Sequence, residues 1–213
     1  MTITPSILSI QTPGRREGTF LWFLVAVSLA CSFFIARDRL TWGLEVFWVA
    51  LALPGLAYAR NRFPLSRLVC WLLAIHALVL IHGGAHTYAE TPLGFYLRDA
   101  LDLARNPWDR VGHFFQGLEP AILSREILLR FTPVKRGKLL IYLVLSICLG
   151  FSASFELFEW GAALAFGEDA EAFLAVQGDV WDTQWDMFLC LVGASTSLLL
   201  FSRMHDRQLG LRE

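Results

Sequence analysis

Long apolar runs decide what this chain can fold into. Stretches with little charge occupy residues 18–36, 42–59, 68–88, 139–165 and 187–202. Each lies near the length of about 20 residues that a helix needs to cross a hydrocarbon core. Composition agrees: 55% of the 213 residues are hydrophobic and 17% are charged, against about 25% charged in a soluble domain. The chain is expected to be an all-α, polytopic transmembrane helix bundle. The run after Arg15 and Arg16 continues past Cys31 through Phe33, Phe34 and Ile35. That is too long for the apolar region of a signal peptide, so it is read as a retained helix.

A sixth crossing is expected at 108–129, a less apolar stretch whose polar residues need a protein or water-lined interior to face. The basic residues support that count. With six spans and the N-terminus inside, the inner segments carry twelve Lys and Arg, the outer loops carry five, and Arg125 sits within a span. This asymmetry follows the positive-inside rule. The resulting organisation is an inner tail over 1–17, one six-span domain over 18–203, and an inner tail over 204–213. Lys+Arg 18 against Asp+Glu 19 leaves no basic face for nucleic acid. Cys31, Cys70, Cys148 and Cys190 stand alone in apolar sequence, which disfavours a disulfide frame or zinc finger.

The topology brings polar residues from four distant stretches to one outer level. His82 and His86 end the third span, and Asp109, His113 and Gln116 begin the fourth. Glu156 and Glu159 lie near the end of the fifth, and Asp179, Asp182 and Asp186 introduce the sixth. Asp109, His113, Gln116 and Pro120 recur at helical spacing along one stripe, and Glu156 and Glu159 are i,i+3 neighbours. Asp182 and Asp186 share a face with Gly193, which would let a neighbouring backbone approach. Carboxylates with an imidazole suit Mg²⁺, Mn²⁺, Ca²⁺ or Zn²⁺. Asp109, His113, Glu156, Glu159, Asp182 and Asp186 are therefore the candidate catalytic set. The candidate metal ligands are His113, Glu156, Glu159, Asp179, Asp182 and Asp186. His82, His86, Gln116, Glu119 and Gln184 are candidates for substrate contact or relay.

Other polar residues have plainer readings. Glu45, Glu168, Asp169 and Glu171 read as solvated rim acids, His76 as a core histidine, and His205 as a solvated tail residue. Trp108, Trp160, Trp181 and Trp185 read as an interfacial belt. Glu126 is placed to pair with Arg130 at i+4. Glu119 and Glu126, i,i+7 on one face, read as part of a helix anchored by that ion pair at its inner end or, alternatively, as a proton or ion relay from Glu119 toward the outer cluster.

The strings Asp109-Arg110-Val111-Gly112-His113-Phe114-Phe115-Gln116-Gly117 and Arg125-Glu126-Ile127-Leu128-Leu129-Arg130 resemble the bacterial YjdF-like inner-membrane proteins. So do Glu156-Leu157-Phe158-Glu159-Trp160 and the run from Gln177 through Met187. The likeness covers roughly residues 20–205 and implies a multi-pass protein of the bacterial inner membrane, with no established reaction. A fainter similarity to VanZ-like membrane proteins rests on the Asp109-to-Phe114 opening, Glu156, and Asp186 with Gly193. It implies an envelope role. Three functions compete on these residues: a metal-dependent hydrolase or transferase acting on an envelope lipid, an ion- or proton-coupled permease, and a non-catalytic scaffold or accessory protein. All share the lipid bilayer as their environment.

Overall fold

The computed structural model describes residues 10–60, 62–167 and 171–211. Among these, seven helices of nine residues or more and one short helical turn follow one another without a strand. They are α1 (Arg15–Ile35), α2 (Arg39–Ala59), α3 (Arg67–Ala85), α4 (Pro92–Ala100), α5 (Trp108–Phe131), α6 (Lys138–Phe166), α7 (Glu171–Leu174) and α8 (Asp182–Gln208). Starts are set locally. The Asp38 carboxylate accepts from the Thr41 amide at 2.6 Å, and the Ser66 hydroxyl accepts from Val69 at 3.4 Å, each satisfying an orphan donor of a first turn. Pro54 lies inside α2, which runs unbroken to Ala59.

Five helices, α1, α2, α3, α6 and α8, are long and apolar enough to cross a membrane, so the chain is a polytopic helical membrane protein. Helix α5 differs from them. Its 24 residues would extend about 36 Å, but Asp109, His113, Gln116, Glu119, Arg125 and Glu126 are all buried along it. It is sheathed by α8, α3 and α6, so its polar groups face protein rather than lipid.

Helices α5 and α8 run parallel in close contact, from His113 opposite Asp186 to Arg125 opposite His205. Glycine sets their spacing. A Cβ on Gly117 would sit 1.8 Å from the Cys190 carbonyl oxygen, and one on Gly193 would sit 1.9 Å from that of Phe114. The close approach expected at Gly193 is thus present, with Gly117 as its reciprocal partner. Ser197 donates to the Leu118 carbonyl, and Ala121, Val144, Cys148, Cys190 and Ala194 pack around the seam. In lipid, packing and interhelical hydrogen bonds of this kind replace the hydrophobic drive between helices.

The end of the bundle holding the C-terminus of α8 is closed by a buried ionic network. Glu126 accepts from the Ser66 amide at 3.1 Å and from Arg130 at 2.6 Å, and lies 3.1 Å from His205 Nε2. Arg125 donates to His205 Nδ1 at 2.9 Å and to Asp206 at 2.5 Å. Because a guanidinium only donates, His205 Nδ1 must accept, and the ring proton sits on Nε2 facing Glu126. The Glu126–Arg130 pair is present as expected. His205 is not solvated: it is fully buried, because α8 continues through Gln208. Gln11 bonds to the backbone of Gln208 and Arg67, tying the segment before α1 to the same end.

Candidate functional site

At the opposite end, the first turns of α5 and α8 bring their acids together. Asp109, His113 and Asp186 are buried, and one ligand atom from each lies within 4.8 Å of the others. His113 Nε2 is 3.6 Å from Asp109 and 3.9 Å from Asp186, while His113 Nδ1 is 3.0 Å from the Gln116 side-chain oxygen. Helix α6 contributes Glu156, 3.9 Å from His113 Nδ1, and Glu159, both buried. Asp109 Oδ2, Glu156 Oε1 and Asp186 Oδ1 are buried without a hydrogen-bond partner among the described residues. Helix α2 adds Glu45, which is 4% exposed rather than solvated at a rim. It turns inward because Tyr88 fills the gap between Gly83 on α3 and Gly112 on α5 and engages the Glu45 carboxylate. A phenol hydroxyl facing a carboxylate donates to it, which gives Glu45 a partner at this depth.

Two arginines complete the site, and sequence reasoning missed both as members. Arg105 donates to Asp182 at 2.5 Å and to the Ala175 and Val176 carbonyls, and lies 3.5 Å from Asp109. Arg110 donates to Asp179 at 2.7 Å. Asp179 and Asp182, proposed from the sequence as ligands, are thus engaged by guanidinium groups. Asp179 also precedes α8, its side chain accepting from the Trp181 amide in the turn that Gly178 makes at φ +82°. The i,i+4 spacing of Arg105 and Asp109 was a usable signal. It was hidden because Arg105 lies in the loop before α5.

The remaining candidates lie elsewhere. Helix α3 runs through Gly83-Gly84 to Ala85, and the His82 and His86 rings meet edge to face at 5.0 Å, with His82 also edge-on to Trp108. His82 lines a small cleft with Ser28, Cys31 and Ser32 of α1, away from the acids. Gln184 is exposed. Trp108 is buried and donates to the Val79 carbonyl, so it leaves the expected belt, whereas Trp160, Trp181 and Trp185 are exposed. Glu168 and Asp169 lie outside the described residues, as does the side chain of Glu171. His76 is paired rather than merely packed: its Nδ1 is 3.2 Å from Glu119 Oε2, leaving His76 Nε2 and Glu119 Oε1 unpartnered.

A cavity of about 850 Å³ runs between α1, α2, α3, α5 and α6. Glu45, Tyr88, Asp109, His113, Gln116 and Glu159 line one end, His76 and Glu119 its middle, and Arg60 its other end. The rest of the wall is mostly apolar. Asp109 and His113 face this space, while Asp186 and Glu156 contact His113 from behind.

Residues 18–207 match the family described as "Predicted membrane protein (DUF2238)". The chain belongs to this family. It is also 48% identical over 174 residues to the inner membrane protein YjdF of Escherichia coli (strain K12), covering 82% of this chain and 83% of that one. No solved structure matches. Membership agrees with the resemblance carried by the Asp109-to-Gly117 and Gln177-to-Met187 strings, and the family brings no assigned reaction. With its candidate spans, the protein is a multi-pass protein of the inner membrane.

Proposed function

We propose that this protein is a six-span membrane enzyme, a metal-dependent hydrolase or transferase acting on an envelope lipid at an outward-facing site. The observation that carries this reading is the convergence of unpartnered, buried carboxylate oxygens on His113 at the end of an apolar cavity. Six acids (Glu45, Asp109, Glu156, Glu159, Asp182 and Asp186) gather around His113 with Arg105 as their principal cationic partner. A divalent cation on Asp109, His113 and Asp186 would offset that repulsion. In this reading the Gln116 oxygen holds the proton on His113 Nδ1, which turns the Nε2 lone pair toward Asp109 and Asp186. The oxygen donors and single imidazole suit Mg²⁺, Mn²⁺, Ca²⁺ or Zn²⁺. Such an ion would polarise a phosphoryl or acyl group or activate water. Glu156, near His113 with a free oxygen, is placed to take a proton, and Glu159 faces the cavity beside it.

Elemental analysis of detergent-purified protein tests this. About one divalent ion per chain is expected, lost in Asp186→Asn while thermal unfolding stays cooperative. No retained metal, even after supplying each of the four ions, would overturn the metal role.

The orientation rests on α5 as the sixth crossing, both termini inside, and the arginine-rich end of the bundle at the inner face. Val180, 85% exposed beside the site, then lies outside. A membrane-impermeant maleimide should label Val180→Cys in intact cells and reach Lys135→Cys only after lysis. The reverse pattern would turn the protein over.

The permease reading draws on the buried His76–Glu119 pair at mid-cavity, since an intramembrane ionisable pair marks a pathway by default. Retained proton flux in Glu119→Gln proteoliposomes would remove it. For the scaffold reading, acid-to-amide changes should alter stability alone.

A further inference from the structure

We infer that the cavity holds a single hydrocarbon chain of a lipid, admitted sideways between α2 and α6, with the polar end at His113 and the methyl end toward Arg60. The inference takes the location of the reactive end from the function proposed above. The occupancy itself rests on shape and medium. From Asp109 to Ile127 the cavity follows α5 over 18 residue steps, about 27 Å, close to the thickness of a hydrocarbon core. Its volume of about 850 Å³ spread over that length gives an average cross-section of roughly 30 Å². That is wide enough for one alkyl chain at carbon contact distances of about 4 Å. Between its polar ends the wall is mostly apolar, broken by His76 and Glu119 at the middle, so over most of its length water gains few partners.

The entrance follows from how α2 is held. It packs against α3, α1 and α7, and does not pack along α5 or α6. Helices α2 and α6 meet through aromatic rings around Phe47 and Trp48, with Trp48 against Phe151 and Phe158, two turns apart on α6, and Phe47 against Phe158. Toward Arg60 from that aromatic contact, Ala52 and Leu56 of α2 face the cavity opposite Ile127 of α5. These are membrane-spanning helices, so the medium at their seam is acyl chain. The chain's orientation follows from the polar groups. Donors and acceptors that can hold an uncharged or metal-bound head cluster at His113, Asp109 and Tyr88, whereas Arg60 offers one exposed guanidinium.

Photo-crosslinking tests the proposal. The full chain is reconstituted in phosphatidylethanolamine–phosphatidylglycerol vesicles with uncharged long-chain fatty alcohols carrying a diazirine beside either the methyl or the hydroxyl end. Adducts are mapped by mass spectrometry. The methyl-end probe should mark Leu56, Leu123 or Ile127, and the hydroxyl-end probe Phe155 or its neighbours. Ala52→Trp should reduce both at least tenfold while adducts at Leu199 and Leu200, exposed on α8, stay unchanged. Leu73→Trp, filling the cavity from α3, supplies the same test if Ala52→Trp does not fold. Adducts confined to Leu199 and Leu200 would overturn the occupancy, and exchanged positions of the two probes would overturn the orientation. Asp186→Asn should keep the cavity adducts, so loss of the metal reading and loss of this one give different results.

Discussion

Gly193→Leu is expected to leave almost no folded protein in the membrane fraction, and Gly117→Leu should do the same. Even a lone Cβ at these positions would stand 1.9 Å from the Phe114 carbonyl oxygen or 1.8 Å from that of Cys190. The obstructing atoms are backbone, so no rotamer change relieves the clash, and the two helices must separate by an ångström or more. Overpacking a core costs about 1–3 kcal/mol when side chains can shift, so here the cost should reach or exceed the upper figure. Separation would also break the Ser197 bond to Leu118 and draw His113 away from Asp186. Size-exclusion profiles and thermal unfolding in detergent check this. Gly150→Leu is the control, because a Cβ at Gly150 meets nothing within 4 Å and should leave the midpoint almost unchanged. A normal profile for Gly193→Leu would mean that the seam between α5 and α8 is not the packing centre.

The same seam explains what could be read from sequence. Five spans were legible because lipid demands an apolar surface all along a helix, and α1, α2, α3, α6 and α8 present one. The stripe Asp109, His113, Gln116 was legible because α5 is regular and its period is fixed. Asp186 joins that stripe because α8 begins beside α5. Less was legible where a contact depends on loops. Arg105 reaches Asp182 across 77 residues of sequence, and Tyr88 turns Glu45 inward only because two glycines on different helices leave room for its ring. His205 looked like a tail residue because hydropathy falls before α8 ends. The polar end of α8 is helical and packed, held by Arg125 and Glu126 rather than by apolar burial. The pairing of His76 with Glu119 was similarly invisible, because no local spacing links α3 to α5.

Glu126→Ala should destabilise the protein by about 3–5 kcal/mol, the cost expected when one partner of a buried ion pair is removed. Glu126 is fully buried and carries Ser66, Arg130 and His205 at once. Its loss would leave the Arg130 guanidinium, 17% exposed, with the Pro64 carbonyl and the faces of Phe63 and Phe131 but no anionic partner among the described residues. His205 Nε2 would keep a proton and no acceptor, in a position where water does not reach. The Ser66 amide at the start of α3 would lose its partner too, so α3, α5 and α8 loosen together at this end. Glu126→Gln should cost less, since an amide oxygen still accepts from Ser66 or Arg130 while the ionic part is lost. Chemical unfolding in mixed micelles would rank the variants as wild type, Gln, then Ala. His205→Ala in the Glu126→Ala background should cost less than it does alone, because the Glu126 contact is already gone and only the Arg125 bond to Nδ1 is left to lose. Additive losses would mean that Glu126 and His205 act independently, and the closure of this end would then rest on Arg125 and Asp206. Metal content should stay at the wild-type level in any Glu126 variant that folds, because the network lies at the opposite end of α5 from Asp109. That separation is what distinguishes a structural lock from the site it supports.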